Sequence, residues 1–155
     1  MAKPINLKRD SKYMKQQKDR FGENWLAVKN SKDLYNDMPR ILRELSKGEI
    51  DLDQFGYMFL SNQMLTAVLQ YVGDQLRLLY TMNGMFLTHY NVTQGNIDPY
   101  QRSIIETVNL KIQMYEYIYS TFQIVERDRT YSPLRRLQTD LSTTYRGLLQ
   151  NSTQI

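Results

Sequence analysis

Residues 55–80, FGYMFLSNQMLTAVLQYVGDQLRLLY, carry only two formal charges, Asp74 and Arg77, in a chain where 23% of residues are charged. A segment this poor in charge is selected to avoid water, and its spacing says how. Every seventh residue from Met58 gives Leu65, Val72, Leu79 and Phe86; the neighbouring row is Tyr57, Met64, Tyr71, Leu78 and Met85. Both rows are apolar or aromatic throughout. A third row, Gly56, Gln63, Gln70, Arg77 and Gly84, is polar or small. Two apolar rows beside a polar one give the sidedness of a helix with a broad apolar face, a pattern no strand can satisfy.

An unbroken helix from Asp53 to Tyr90 extends roughly 55 Å at 1.5 Å per residue, more than a domain of this size needs. Gly73 and Gly84 are the positions expected to bend or break it. Its apolar surface exceeds what one neighbouring helix covers. It is therefore expected to be a central helix or half of a subunit contact, with Tyr57, Met58, Met64, Leu65, Tyr71, Val72, Leu78, Leu79, Met85 and Phe86 as the contact residues. Residues 54–73 are free of charge and meet the length of a membrane span. Ser61, Asn62, Gln63, Thr66 and Gln70 would each need a polar partner inside hydrocarbon, so membrane insertion is not expected.

Helical spacing recurs on both sides. Asp33 is the expected cap of a helix carrying Leu34, Met38, Ile41, Leu42 and Leu45, with Gly48 as its stop and Pro39 as a place for a kink. Asp98-Pro99 pairs an N-cap with proline at the first helical position. Apolar residues then keep the helical period from Ile104 to Val125, although YEYIYSTFQIV has strand propensity. Ser132-Pro133 repeats the cap signal before the stripe Leu134, Leu137, Leu141, Tyr145 and Leu148. The fold expected is all-α: a helical bundle of four to five helices with a long central helix and an extended N-terminal arm. The arm comprises residues 1–32, the bundle 33–150, and a polar C-terminal tail 151–155.

The 155 residues suffice for one domain with its own core. There is no Cys, which removes disulfides, thiolate metal sites and Cys nucleophiles. His89 is the single histidine, so a His-based metal cluster within one chain is excluded and His89 reads as a polar or packed residue at a helix end. The start of a calcium loop in DLDQFG fails where oxygen ligands are required, at Phe55 and Asn62. Asp51 or Asp53 is better read as a cap. Glu106, Glu116, Glu126 and Asp128 sit among Arg and Lys at exposed helical positions and read as surface ion pairs. No glycine-rich phosphate loop is present. The expectation is a protein that is not an enzyme and takes no cofactor or metal.

Charge is unevenly placed. In residues 1–20, Lys3, Lys8, Arg9, Lys12, Lys15, Lys18 and Arg20 stand against Asp10 and Asp19, a local excess of +5. The composition of this arm is too polar to bury itself, so it is expected to order on a partner. Phe21, Trp25 and Val28, at helical spacing, are expected to be the first piece of the core, with an anchor for docking as the alternative. Arg127, Arg129, Arg135 and Arg136 form a second basic group suited to bidentate contacts with carboxylate or phosphate. The basic arm, Trp25 and these arginines are the candidate partner-binding residues. The N-terminus lacks the apolar run of a secretory signal, so cytoplasmic synthesis is expected. Twelve tyrosines and eight methionines suit adaptable protein contacts.

A cysteine-free helical chain rich in Tyr, Asn, Gln and Met, with the basic arm MAKPINLKRDSKYMKQQK and the polar tail LLQNSTQI, resembles the minor structural proteins of tailed-bacteriophage virions. The resemblance is one of overall style and carries over no residue. It implies a multi-copy subunit of the head, portal or neck, a homo-oligomer in contact with other virion proteins. The alternative is a nucleic-acid-binding accessory protein that uses the basic arm and the Arg127 to Arg136 group.

Overall fold

A computed structural model describes residues 30–89 and 98–149. Within them the chain forms α1 (Ser31–Ser46), α2 (Leu52–Phe55), a 3-10 turn (Gly56–Leu60), α3 (Asn62–His89), α4 (Pro99–Asp128) and α5 (Pro133–Ser142). The architecture is an all-α bundle. Of the expected arm, residues 1–29 lie outside the described residues, while Asn30 caps α1 and Ser31 and Lys32 belong to it, so the bundle starts before the expected boundary at 33; the tail, 151–155, lies outside the described residues.

The helix boundaries follow local chemistry, with three departures from the sequence reading. Asn30, not Asp33, caps α1: its Oδ1 accepts the Asp33 N–H at 2.9 Å, and Asp33 sits in the first turn, where a carboxylate suits the helix dipole. Pro39 lies inside α1 without ending it. Buried Leu34 and Met38 before it, and Ile41, Leu42 and Leu45 after it, hold the helix by packing where one backbone bond is lost. Gly48, at φ +74°, supplies the left-handed residue that terminates the helix. Ser132 makes no side-chain cap to α5; its N–H instead donates to Thr130 Oγ1 at 3.2 Å.

The third departure concerns the central helix. Gly73 and Gly84 do not break it, because both remain inside α3. The break falls at Ser61, whose backbone is extended (φ −69°, ψ 145°). Its Oγ accepts the Met64 N–H at 3.1 Å and its carbonyl accepts the Leu65 N–H at 3.0 Å, a serine cap in the middle of an apolar run. What remains of α3 is 28 residues, and α4 has 30, so two long helices share the centre. α4 opens with a capping box: Asp98 Oδ1 accepts the Gln101 N–H at 2.7 Å and Gln101 Oε1 accepts the Asp98 N–H at 3.4 Å.

α3 and α4 pack antiparallel. The Tyr80 hydroxyl donates to Glu116 Oε1 at 2.8 Å, Arg129 reaches Asn62 Oδ1 at 3.4 Å, and Phe59 meets Phe122 with ring centroids 5.8 Å apart. α1 runs antiparallel along one side of α3. Its first turns sit where the Tyr35 hydroxyl donates to Asp74 Oδ2 at 2.7 Å and the Tyr35 ring meets Tyr71 edge-on at 5.6 Å. Its last residue leads back to the start of α3 through residues 47–61. α5 packs against α4 and the link from α1 to α3, with Tyr117 donating to Asp140 at 2.5 Å and Gln138 donating to the Ile50 carbonyl at 2.9 Å. Gly56 lets the 3-10 turn approach the ring of Tyr131, which a Cβ would meet at 2.4 Å.

The core is consequently concentrated at one end. On α3 it runs from Met64 to Leu79, and on α4 from Ile105 to Val125. Past Leu79 no described α3 residue is buried, and before Ile105 no described α4 residue is. The end turns of the two helices, 80–89 of α3 and the facing part of α4, make up the α3–α4 hairpin, whose α4 side still carries buried Ile105, Val108 and Ile112.

Candidate interaction surface

The ten residues expected at a subunit contact divide sharply. Met58, Met64, Leu65, Tyr71, Val72 and Leu79 are buried within the chain's own core, so they are not a surface for another subunit. The correction has a simple cause: α1 covers one side of the broad apolar face and α4 the other. Tyr57, Leu78 and Met85 are exposed and Phe86 is half-buried.

One row shows where the cover ends. Met64 is 0% and Tyr71 6% exposed, while Leu78 and Met85 on the same row are 54% and 63% exposed. α1 begins at Ser31, with Tyr35 level with Tyr71 and Asp74, so no described helix lies over the rest of the row. On the other flank of the hairpin, Tyr80 and Leu87 are also exposed, and Tyr100 on α4 is 75% exposed. The sequence carried a signal for this second flank that the reading by rows missed. Stepping by sevens from Phe59 gives Thr66, Gly73, Tyr80 and Leu87, a row that is small or polar beside the core and apolar beyond it. The apolar arc of α3 widens where the core stops covering it.

The hairpin also borders a hollow of about 700 Å³, whose described lining is Gly84, Met85, Phe86 and Thr88. Asn83 Oδ1 is buried without a hydrogen-bond partner in the same stretch. Contiguous apolar surface of this kind on a small protein marks a place where another protein element packs.

The four arginines are each engaged within the chain. Arg127 pairs with Asp128 (Nε to Oδ1, 2.8 Å), Arg135 with Asp53, Arg136 with Asp140 (3.5 Å), and Arg129 hydrogen-bonds Asn62. Three carboxylates and one amide oxygen thus already accept from them within the chain. Such exposed pairs contribute at most about 1 kcal/mol each. Lys3, Lys8, Arg9, Lys12, Lys15, Lys18, Arg20 and Trp25 lie outside the described residues.

Several titratable groups have displaced equilibria with causes inside the fold. Burial pushes the Tyr115 hydroxyl far up, assisted by neighbouring Tyr71, which burial also raises. Burial pulls Lys111 down. Tyr35 holds the Asp74 carboxyl below its usual range by donating to it, with Arg77 adding to the effect. Glu106, Glu116, Glu126 and Asp128 are exposed, and His89 is the last residue of α3. Among the described residues no group of His, Asp and Glu is arranged to hold a metal ion, and no helix is long and apolar enough to cross a membrane. No protein-family model, curated protein or solved structure matches the chain.

Proposed function

We propose that this protein is a non-enzymatic structural subunit of a multi-copy assembly, joined through the α3–α4 hairpin. The observation that carries this reading is the widening of the α3 apolar arc: Thr66 and Gly73 give way to Tyr80 and Leu87, which are exposed past Leu79, the last buried residue of α3 among those described. Apolar residues exposed at seven-residue spacing fit a facing helix, and a second copy of the hairpin supplies one with the same spacing. Style of sequence supports a tailed-phage virion, in the head, portal or neck, as the setting. The arginines favour nucleic acid less, since each already has a partner within the chain.

Solution mass at low and high salt tests the reading. An oligomer that persists in high salt is expected, because apolar contacts are not screened. Y80K/L87K, which alters only exposed side chains, is expected to yield a folded species of lower mass. A wild-type monomer at micromolar concentration refutes the assembly reading. Salt-sensitive binding of nucleic acid, lost on charge reversal at Lys8, Arg9, Lys12 and Lys15, would replace it.

A further inference from the structure

The flank bearing Leu78 and Met85 is separate from the flank of Tyr80 and Leu87, and its occupant can be identified from chain geometry. Tyr35 sits beside Tyr71 and Asp74, and α1 runs antiparallel to α3. Asn30, five residues before Tyr35, therefore comes about 7.5 Å further along α3, level with Leu78. The row that α1 buries at Met64 and Tyr71 becomes bare at the level where the described chain begins. Residues just upstream of Asn30 include Phe21, Trp25 and Val28, which fall on one face at helical spacing.

We propose that residues 21–28 dock in cis along the Leu78, Met82 and Met85 stripe of α3, extending the cover that α1 provides, with Trp25 as the anchor. Asn30 has an extended backbone (φ −89°, ψ 172°), which separates this segment from α1 and lets it take its own angle. Leu78 to Met85 is about 10 Å along the helix, and residues 21–29 span about 13 Å as helix or up to about 30 Å extended, so the segment reaches. Met85 of this stripe is also among the described residues that line the hollow of about 700 Å³.

The sequence is suited to the test, because Trp25 is the single tryptophan and there is no cysteine. A nitroxide on T81C, beside the stripe, is expected to quench Trp25 fluorescence several-fold more than one on T139C on exposed α5. L78K/M85K is expected to shift Trp25 emission to the red and raise its quenching by acrylamide several-fold, with helicity unchanged because both residues are exposed. Equal quenching from the two nitroxide positions overturns the proposal. So does quenching that appears only when labelled T81C/W25F chains are mixed with unlabelled wild type, since the segment then docks on a neighbour. Repeating the nitroxide pair in Y80K/L87K separates this inference from the assembly reading: loss of the oligomer with quenching retained refutes neither, and an intact oligomer without quenching refutes the docking alone.

Discussion

Replacing Gly56 by alanine sets two effects of known sign against each other. The backbone there is right-handed helical (φ −56°, ψ −34°), so alanine is conformationally welcome and would by itself stabilise by up to about 1 kcal/mol. Against this, the new Cβ would lie 2.4, 2.6 and 2.9 Å from Cδ2, Cε2 and Cγ of Tyr131. Carbon atoms pack at roughly 3.5–4.0 Å, so the ring must retreat by about 1 Å. Turning the ring about its own axis does not clear the clash, because Cγ lies on that axis. Tyr131 must change its first side-chain torsion or the turn between α4 and α5 must shift. Overpacking of this kind costs about 1–3 kcal/mol, and the net expectation for G56A is a loss of about 1–2 kcal/mol. For a chain of this length that is a fall of about 3–6 °C in Tm. Thermal and urea denaturation followed by circular dichroism read it directly. In a Y131A background the obstruction is gone, and G56A should become neutral or stabilising. A stabilised G56A in the wild-type background, or the same penalty with and without Tyr131, would refute the reasoning.

Two further outcomes follow from the caps and the tyrosines. Tyr117 is held up to about 12, chiefly by burial and then by Asp140, against about 10 in an unfolded chain. The folded state keeps this proton between those values while the unfolded state loses it, so the contribution is complete below pH about 10 and declines as pH rises toward 12. Y117F should cost about 1 kcal/mol at pH 8, and its deficit against wild type in urea midpoints should narrow above pH 10; a constant deficit would show that Tyr117 titrates alike in both states. N30A and D98A each remove a cap worth about 1 kcal/mol. N30A should lower global stability, because α1 is core from Leu34, whereas D98A should show as faster amide exchange at Gln101 and Arg102 with little change in Tm, because no described α4 residue before Ile105 is buried.

Periodicity made the helices legible, and it did so even where propensity disagreed. Residues 115–125 are rich in β-branched and aromatic side chains, yet they form the buried centre of α4, since Tyr115, Ile118, Phe122 and Val125 fall on one helical face. The Asp98 cap was legible from the proline beside it, but the same signal at Ser132-Pro133 yields no side-chain cap. Caps were hidden where the capping residue sat in a run that scans as continuous. Ser61 interrupts an apolar stretch whose row spacing survives the break, so counting by sevens passes over it. The glycines misled for a related reason. Gly73 has room for ordinary contact with the Tyr119 ring at 3.8 Å and stays helical, whereas Gly56, unremarked in the polar row, is the one that a neighbour crowds. That crowding arises from Tyr131, far away in sequence, and no local pattern contains it. The arginine group reads as a patch in sequence because its members are close together there; in space Asp53, Asn62, Asp128 and Asp140 already accept from them within the chain.

The width of an apolar arc measures how many neighbours a helix needs, and α3 has a wide arc along its whole length but a different supply of neighbours at its two ends. Beside the core, α1 and α4 together bury both rows, and the third row is free to be Thr66 and Gly73. Along the hairpin α4 continues, α1 is gone, and the third row becomes Tyr80 and Leu87. If the hairpin were only a spacer, the loss of α1 should be matched by more polar residues on α3, since each large apolar side chain left in water forgoes roughly 1.5–3 kcal/mol of burial. The sequence goes the other way, and adds apolar residues where cover is lost. Two uncovered flanks therefore call for two occupants. The proposed cis segment would answer for the flank of Leu78 and Met85; on the opposite flank α4 reaches Tyr80 only through Glu116, and Leu87 stays exposed. That asymmetry is why the intramolecular contact and the subunit contact are assigned to opposite sides of one helix.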